Sequence, residues 1–459
     1  MQDICYADRL VFGNIFIHRD DSFVLLNLYS FRRMVLTEEE LRILFSCREK
    51  SNNGTPFTDA ELQLYTRLVS KKQIIPQDTL SRFLAAKSQE HKSRLSKIQP
   101  KISKITISPT FACNFNCTYC YQRTFKSKKN FLCPDAIDNI CNVLKRINST
   151  DNYLDGITSV TINGGEPLQT QNIETINHII DCFAKPGINF SLFTNGYNIL
   201  KFKDRVDFSK FDCIQVSLDN IDPYTSEVNG VNHPISQRVL DGLAYLMQFD
   251  CKITISAVFT RELVDNIEEF IRQLAAIGLT DNKNCQIIIA PIVSFGESTL
   301  DMSFYSIPDF VAAKKFIKSK KLPSNMGVGT LPETRWISRA LRRTPNERID
   351  GRACMCSILK NRSLHFAPNG QLYWCLCVNP EVGNLGSFYP SIEVDEIGID
   401  RCINKSIFSE EKCRTCDFQF LCSSGCHLHS VSATGDYSKP FCGFFFNADF
   451  WNNLEGLID

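Results

Sequence analysis

Short apolar runs alternate with amphipathic stretches through the middle of the chain. Six runs rich in β-branched or aromatic residues predict strands at 105–109, 159–163, 189–194, 213–218, 252–259 and 286–291. Amphipathic stretches between them predict helices at 134–147, 172–183, 235–247 and 264–277. This alternation predicts an α/β fold with a parallel sheet and right-handed crossovers, curved as a partial or full barrel. In such folds the chemistry lies in the loops after the strands.

The first part of the chain has a different order of elements. Residues 12–29 predict one or two strands, and Thr37, followed by three glutamates, predicts a helix start. Thr58 and Glu61 form a capping-box pattern for a second helix. We expect the unit to close with a strand at Ile74-Ile75-Pro76. Strand, helix, helix, strand is a winged-helix-like order.

These patterns divide the chain into five parts. We expect an N-terminal unit at 1–86, a polar and basic linker or solvated helix at 87–103, and the barrel at 104–295. A connector with one helix near 308–319 follows at 296–350, and a cysteine-rich, loop-rich domain with a final helix near 444–454 fills 351–459.

Composition narrows the possible partners. The 459 residues contain 51 Lys and Arg against 50 Asp and Glu, and this net charge of +1 provides no footprint for nucleic acid or an anionic membrane. Apolar runs do not approach 18 residues, and the first 20 residues have no signal pattern. We therefore expect a cytoplasmic protein that binds neither nucleic acid nor membrane.

The 21 cysteines fall into two classes. Because the cytosol keeps thiols reduced, disulfides are not the first interpretation. Nine cysteines are scattered singly and are expected to be core residues: Cys5, Cys47, Cys133, Cys141, Cys182, Cys213, Cys251, Cys285 and Cys402. The other twelve have short spacings and are candidate metal ligands.

The first group of cysteines follows the first barrel strand. Cys113, Cys117 and Cys120 have the spacing C-x3-C-x2-C. Three thiolates on one loop can hold three irons of a [4Fe–4S] cluster, which usually takes four cysteines, and leave one iron open. Zinc would normally require a fourth ligand nearby, whereas the nearest spare thiol, Cys133, lies 13 residues further on.

This loop resembles the signature of the radical S-adenosylmethionine (SAM) enzymes. Three later motifs match that family in order, each at a strand end: Gly164-Gly165-Glu166-Pro167, Thr194-Asn195-Gly196 and Ser217-Leu218-Asp219. The resemblance implies that the open iron chelates SAM and that the reduced cluster cleaves it to a 5′-deoxyadenosyl radical, which abstracts a hydrogen atom.

The resemblance also assigns residues to SAM. The backbone of the glycine motif and Glu166 would receive the methionyl ammonium, Ser217 and Asp219 would lie near the carboxylate and ribose, and Asn195 belongs to the same set. One feature departs from the family. An arginine often follows the Ser-x-Asp motif, but the next arginine here is Arg238, so the carboxylate partner stays open.

The C-terminal cysteines resemble a SPASM domain, which binds auxiliary [4Fe–4S] clusters. Their run is Cys354, Cys356, Cys375, Cys377, Cys413, Cys416, Cys422, Cys426 and Cys442. The resemblance implies two interleaved clusters. One takes Cys413, Cys416, Cys422 and Cys442, and the other takes Cys375, Cys426 and two of Cys354, Cys356 and Cys377. We favour Cys354 and Cys356. A single bound member of that pair would leave an open iron, and zinc is the alternative metal for this region.

Radical SAM enzymes with SPASM domains mostly modify ribosomally made peptides or proteins (RiPPs). The resemblance therefore implies a peptide maturase, an oxidoreductase-type enzyme that forms a thioether or carbon–carbon crosslink and receives electrons from a flavodoxin or ferredoxin. The N-terminal unit resembles a RiPP recognition element, which binds a leader peptide as an added strand. A structural cap on the barrel is the alternative.

Three rival functions remain. The chain also resembles anaerobic sulfatase-maturating enzymes, which make formylglycine, but Cys375 is followed by Leu376 where those enzymes commonly carry an aspartate base. A radical SAM enzyme acting on a small molecule or nucleotide is the second. A non-catalytic iron–sulfur sensor or binding protein is the third, although it has no need of the glycine motif or of Ser217 and Asp219.

Overall fold

The computed structural model describes most of the chain in separate stretches. These are residues 10–11, 13–19, 22–30, 32–97, 101–115, 117, 120, 122, 130–219, 226–228, 231–233, 235–291, 306–329, 334, 337–338, 362–375, 383–414, 416, 418–422, 424–426, 430, 434–436, 439–440, 442 and 448–458.

The N-terminal unit is an antiparallel sheet followed by helices. Its strands, in sheet order, are β1 (Leu10–Val11), β2 (Asn14–Arg19), β3 (Ser22–Asn27) and β4 (Arg33–Leu36). Its helices are α1 (Glu38–Asn53), α2 (Asp59–Ser70) and α3 (Gln77–Ser96). Thr37 and Thr58 each cap a helix with a complete capping box, which confirms both predicted helix starts.

The predicted closing strand is wrong. The backbone N–H groups of Gln73 and Ile74 both donate to the carbonyl of Leu68 and so close the end of α2. The carbonyl of Pro76 then accepts from Thr79 and Leu80 in the first turn of α3. Residues 74–76 therefore connect two helices. In addition, the predicted boundary at residue 86 falls inside α3, so the basic stretch begins as helix.

Both faces of the N-terminal sheet are covered. Leu25 packs with α1 and α2 in a small core of its own. Ile15, Ile17 and Leu26 point to the opposite face and belong to the main core of the molecule. Because side chains alternate along a strand, this one sheet joins the N-terminal helices to the rest of the protein.

A sheet of nine strands forms the centre of the described structure. Six parallel neighbours match the predicted strands: β5 (Lys104–Ile107), β6 (Ser159–Ile162), β7 (Asn189–Thr194), β8 (Cys213–Ser217), β11 (Lys252–Val258) and β12 (Cys285–Ala290). A separate hairpin, β9 (Ser226–Val228) and β10 (Val231–His233), lies between β8 and β11 in sequence. The parallel arrangement brings the carboxyl ends of the six strands to one edge, and the predicted α/β fold is confirmed.

Helices follow the strands as predicted. They are α4 (Pro134–Asn148), α5 (Ile173–Phe183), α6 (Ile235–Leu246), α7 (Arg261–Asp265) and α8 (Ile267–Ala276). The single helix expected at 264–277 is two helices that meet at Asn266.

The C-terminal half extends the central sheet at both sides. At one side β13 (Met326–Val328) pairs with β12, and at the other β14 (Ser363–Phe366) pairs parallel to β5 and antiparallel to β15 (Leu372–Tyr373). Sequence patterns did not predict these strands, and they make part of the connector a sheet element. A small hairpin, β16 (Gly386–Ser387) and β17 (Glu393–Val394), follows.

The helices of this half are mostly short. They are α9 (Ile307–Ser319), α10 (Glu396–Asn404), α11 (Glu411–Arg414), α12 (Gln419–Cys422), α13 (Ala448–Asn452) and α14 (Leu454–Ile458). The buried ammonium of Lys314 on α9 donates to the carbonyl of Leu457 at 2.8 Å. α14 also packs against β2, where the Glu455 carboxylate accepts from the His18 backbone N–H at 3.4 Å. None of the helices among the described residues is both long and apolar enough to cross a bilayer.

Candidate functional site

The first cysteine loop lies between β5 and α4, at the carboxyl edge of the parallel sheet. Cys113, Cys117 and Cys120 are all half-buried. The Cys120 N–H donates to the Cys117 carbonyl at 3.3 Å, so these two cysteines are close to each other. The N–H of Phe115 points at the Cys113 sulfur at 3.3 Å. Such N–H donors stabilise a thiolate that holds a metal.

The glycine motif packs directly on this loop. A β-carbon on Gly165 would lie 2.2 Å from the carbonyl oxygen of Ala112, and one on Gly164, whose φ is +145°, would lie 2.4 Å from that of Thr110. The Gly165 and Glu166 N–H groups donate to these same two carbonyls at 2.9 Å. Glycines permit a backbone turn that passes close to a ligand. The structure gives another reason, which is that the two backbones touch.

Glu166 ties together three segments of the site. Its side chain is fully buried and accepts hydrogen bonds from Leu168 N at 2.8 Å, Thr194 Oγ1 at 2.6 Å and Asn195 N at 2.7 Å. Burial raises the pKa of this carboxyl to about 7, against the effect of these three donors. The geometry is that of a positioning residue, and direct contact of Glu166 with the SAM ammonium stays a prediction.

Asn195 connects the end of β7 to the cysteine loop. Its Nδ2 donates to Asn114 Oδ1 at 2.8 Å and lies 3.9 Å from the Cys113 sulfur. The Nδ2 of Asn114 is buried and has no hydrogen-bond partner among the described residues. A buried donor that the protein leaves unsatisfied beside a cysteine fits a site built for an additional acceptor, such as cluster sulfide or bound ligand. The donor set of this loop therefore fits an iron–sulfur cluster.

The remaining predicted residues lie at the same edge. Ser217 is exposed at the end of β8, and Pro167 is buried after the glycines. The Asp219 carboxylate accepts from the N–H of Val258 at 2.7 Å, and burial raises its pKa to about 6. The structure thus brings the motif residues to the carboxyl ends of β5, β6, β7 and β8.

Sequence reasoning missed Tyr197. Its ring meets Phe115 of the cysteine loop edge-on, with ring centres 5.8 Å apart. The guanidinium of Arg238, on α6, lies 4.4 Å from the centre of the Tyr197 ring. Arg238 Nη1 also donates to the Tyr197 hydroxyl at 3.4 Å. This cation–π contact holds a positive charge next to the motif edge. The position directly after Thr194-Asn195-Gly196 was the only available signal.

The C-terminal cysteines converge only in part within the described residues. Cys413 is buried, and its pKa is raised to about 11, first by burial and then by the nearby charges of Cys442 and Cys416. These three thiols therefore share one neighbourhood, although 26 residues separate Cys416 from Cys442 in sequence. Cys354, Cys356 and Cys377 lie outside the described residues.

A turn that includes Ser424 and Gly425, between Cys422 and Cys426, contains a buried polar group without a hydrogen-bond partner among the described residues, as the first cysteine loop does. Ser424 adopts a left-handed φ of +68° and Gly425 one of +77°. The Ser424 hydroxyl is buried without a hydrogen-bond partner, as is the Trp374 indole N–H next to Cys375. Unsatisfied buried donors beside predicted ligands fit cluster sulfur as the missing acceptor.

Zinc fits these cysteines less well. Tetrahedral zinc with bonds of about 2.3 Å to sulfur brings its ligands within about 4 Å of one another. Among the described residues, no three of the C-terminal thiols lie within 4.8 Å of one another.

A buried lysine organises the segments that carry these cysteines. The Lys405 ammonium donates to Ser430 Oγ at 2.9 Å and to the Lys439 carbonyl at 2.5 Å. Ser430 in turn donates from its hydroxyl to the Cys426 carbonyl at 3.0 Å. Lys405 therefore links the end of α10 to the chain between the last two predicted ligands, Cys426 and Cys442.

A buried polar chain joins the two cysteine regions. Asn163, before the glycine motif, bonds to Ser108 Oγ at 3.1 Å, and Ser108 bonds to His365 Nε2 at 2.7 Å. His365 Nδ1 lies 3.3 Å from the Cys375 carbonyl. Burial lowers the pKa of His365 to about 4, so the ring is neutral at pH 7. Because the Cys375 carbonyl can only accept, its contact requires the Nδ1–H tautomer of His365, and the single Ser108 hydroxyl proton is then shared between Nε2 and the Asn163 Oδ1 acceptor.

Comparison with known proteins identifies the central region. Residues 107–274 match the model of the Radical SAM superfamily. Among curated proteins, the GTP 3',8-cyclase of Brucella canis is 26% identical over 212 residues, which is 45% of this chain and 57% of that protein. The probable GTP 3',8-cyclase of Sulfolobus acidocaldarius is 27% identical over 174 residues, which is 37% of this chain and 51% of that protein. The chain thus spans about half the length of the curated relatives it matches.

A solved structure resembles the fold of nearly the whole chain. Streptococcus suis SuiB bound to precursor peptide SuiA has a TM-score of 0.51 at 15% identity, over 95% of this chain and 99% of SuiB. At that identity the likeness concerns the fold. Members of the radical SAM family are enzymes, and the domain implies a [4Fe–4S] cluster and SAM. Together with the cysteine loop at the carboxyl edge of the sheet, these findings show that the chain contains a radical SAM domain at residues 107–274.

Proposed function

We propose that this protein is a radical SAM peptide maturase, which installs a thioether or carbon–carbon crosslink in a ribosomally made peptide. The observation that carries the radical part of the proposal is the contact between the cysteine loop, the glycine motif and Asn195. These segments come from three different strand ends, and each needs the others for its hydrogen bonds. The crosslinking part rests on the cysteine-rich C-terminal region and the N-terminal sheet.

The barrel residues have distinct proposed tasks. Cys113, Cys117 and Cys120 would hold the cluster that binds SAM, and the bound pair would supply a radical able to abstract hydrogen from substrate. Glu166 holds the loop ends together. Ser217, Asp219, Asn195 and the Gly164–Pro167 backbone face the SAM side, and we assign the SAM carboxylate to Arg238, whose charge Tyr197 fixes at that edge.

The C-terminal cysteines would hold two auxiliary clusters. One would use Cys413, Cys416, Cys422 and Cys442, which the proximity of three of these thiols supports. The other would use Cys375 and Cys426 with Cys354 and Cys356, and Cys377 is the competing ligand. Forming a crosslink removes two hydrogens from the peptide, so an acceptor is needed for the second electron. An auxiliary cluster supplies that capacity, with a flavodoxin or ferredoxin as external donor.

The N-terminal sheet offers a place for a leader peptide. In the part that the structure describes, β4 pairs on one side only, with β3, and Val35 on β4 is 62% exposed. An open strand edge with an exposed apolar side chain can accept an extended peptide as a further strand. The binding of SuiA by SuiB, whose fold is similar, agrees with a peptide substrate.

A nucleotide substrate is the second candidate. The curated relatives are GTP 3',8-cyclases, and their matches extend over 212 and 174 residues. Sulfatase maturation ranks behind because Leu376 stands where an aspartate base is expected. A non-catalytic iron–sulfur protein would not cleave SAM.

The deciding experiment is anaerobic co-expression with a candidate precursor peptide, followed by mass spectrometry. Cys117→Ala is the inactive variant, and Cys213→Ser, which changes a half-buried thiol outside the site, is the matched control. We expect a loss of two hydrogens per crosslink with the wild type and Cys213→Ser but none with Cys117→Ala. Thiol alkylation then separates thioether, which blocks the thiol, from carbon–carbon bonds, which leave it free.

Parallel assays separate the alternatives. An unchanged peptide together with SAM cleavage that GTP stimulates would replace the peptide proposal with the nucleotide one. Absence of SAM cleavage by the fully iron-loaded, reduced protein would refute the enzyme proposal altogether.

A further inference from the structure

Helices α4 and α5 carry a group of metal-ligating side chains outside the motif edge. Asp138 on α4 and His178 and Cys182 on α5 place one oxygen, one nitrogen and one sulfur within 4.8 Å of one another. His178 Nε2 lies 2.8 Å from Asp138 Oδ1 and 3.8 Å from the Cys182 sulfur. From the sequence, Cys182 was expected to be a core residue, yet it is only half-buried.

The arrangement does not suit nucleophilic catalysis. In a catalytic triad the imidazole uses one nitrogen toward the thiol and the other toward the carboxylate. Here both the Asp138 oxygen and the Cys182 sulfur lie against the same nitrogen, Nε2. Convergence of three different ligand atoms on one point is the arrangement that a metal ion requires.

We propose that Asp138, His178 and Cys182 bind a zinc ion between α4 and α5. Tetrahedral zinc with bonds of about 2.0–2.3 Å separates its ligand atoms by about 3.3–3.8 Å, so small side-chain adjustments suffice. A carboxylate and a thiolate together neutralise the divalent charge. The mixed sulfur, nitrogen and oxygen set favours zinc over magnesium or calcium, which prefer oxygen ligands.

A second cysteine lies beside the site on the side of the protein interior. Cys141 lies one turn after Asp138 on α4, is buried, and is a near neighbour of Cys182. A buried thiol beside a metal ligand is an outer-shell group, and such groups affect metal affinity. Asp138 is exposed, so water has access to the fourth position of the ion.

The ion would link the two motif loops. α4 follows the first cysteine loop and α5 follows the glycine motif. A zinc ion bridging these helices would therefore fix the separation of the segments that carry Cys120 and Gly165. This site is independent of the proposed function, because it needs neither SAM nor a peptide.

Zinc binding to the iron-loaded full chain tests the proposal. Zn²⁺ is added at one equivalent in competition with a chromophoric chelator, and bound zinc and iron are then counted by mass spectrometry. We expect one zinc per chain in the wild type, none in the double variant His178→Ala/Cys182→Ser, and about 10- to 100-fold weaker binding in Cys141→Ala. Cys213→Ser, a half-buried thiol near another cysteine, should bind as the wild type does.

Two further measurements make the result decisive. Zinc should slow alkylation of Cys182 in the wild type, and iron content should be equal in all variants, which shows that zinc did not displace a cluster. Equal zinc in the wild type and the double variant, or no zinc retained by the wild type, would overturn the proposal.

Discussion

The two cysteine regions of this protein are held in place by different means. The loop with Cys113 lies between strand β5 and helix α4, and its backbone is hydrogen-bonded to the glycine motif and packed on it. The C-terminal cysteines lie among helices of four or five residues and within loops. In the first region the fold makes the metal site. In the second, the proposed cluster ligation would contribute much of the fold, as metal ligation does in small metal-binding domains.

Removal of a C-terminal ligand should have the largest effect on structure. We expect Cys416→Ala to lose hydrogen-exchange protection throughout 396–442, with a cost above about 4 kcal/mol to this region, because a structural metal site is lost. The barrel should stay protected. Cys402→Ala is the control, since Cys402 lies on α10 in the same region, is buried, and is outside the proposed ligand set. Similar hydrogen-exchange protection in Cys416→Ala and Cys402→Ala would contradict the hypothesis that metal ligation holds the C-terminal region together.

The barrel region should instead be sensitive to backbone volume. In Gly165→Ala the new β-carbon would meet two backbone carbonyls that cannot move aside, so the cysteine loop must shift. We expect a loss of about 1–3 kcal/mol and of iron bound by the first loop. Gly327→Ala, where nothing lies within 4 Å, should stay within about 0.5 kcal/mol. Chemical denaturation and iron analysis measure both, and equal behaviour of the two variants would refute the explanation.

His365 is the place where the two regions meet. His365→Phe keeps the ring shape but leaves the Ser108 hydroxyl and the Cys375 carbonyl without this partner, at a cost of about 1–2 kcal/mol. We expect the electron paramagnetic resonance signal of an auxiliary cluster to change while that of the SAM cluster is preserved. Tyr373→Phe changes a buried neighbour that is not part of the hydrogen-bonded chain from Asn163 to Cys375, and it should leave both signals intact. An unchanged auxiliary-cluster signal in His365→Phe would show that His365 does not couple the two cysteine regions.

The last expected effect is a pH dependence within the barrel. Glu166 binds its proton more tightly in the folded chain, with a pKa of about 7, than at its ordinary value of 4.5. Its contribution to stability is therefore fully present below pH 4.5 and is lost as the pH rises through 7, by about 1–3 kcal/mol. Glu166→Gln should flatten this part of the pH profile in chemical denaturation. Glu174→Gln, which changes an exposed carboxyl, should leave the pH profile unchanged. A pH dependence that persists in Glu166→Gln would show that the Glu166 carboxyl is not its source.

Much of the barrel follows from local pattern. The six strands and their helices are visible in apolar periodicity, and Thr37 and Thr58 mark helix starts because capping depends on neighbours in sequence. Strands β13 and β14 were not predicted, because three or four residues form a strand only when β12 and β5 offer an edge. For the same reason, the apolar pair Ile74-Ile75 before Pro76 led to a wrong strand prediction, because an apolar run forms a strand only where a neighbouring strand offers an edge.

The residues of the first cysteine loop were predictable from the sequence, but the contacts between distant segments of the site were not. Spacing identified Cys113, Cys117 and Cys120, yet the burial of Glu166 and the approach of His365 to Cys375 depend on segments far apart in sequence. Cys182 shows the same limit. Ile179, Ile180 and Phe183 near it in sequence are apolar, whereas its chemistry comes from Asp138, 44 positions earlier.

The contact of β2 with α14 has a consequence for synthesis of the protein. The two elements are joined across 437 positions of the chain. As the ribosome makes the N-terminal sheet, its Ile15 and Ile17 face has no partner from α14 until the segment 437 positions later has been translated. An apolar strand surface that waits this long is open to premature association, and the nascent chain is therefore a natural client for chaperones.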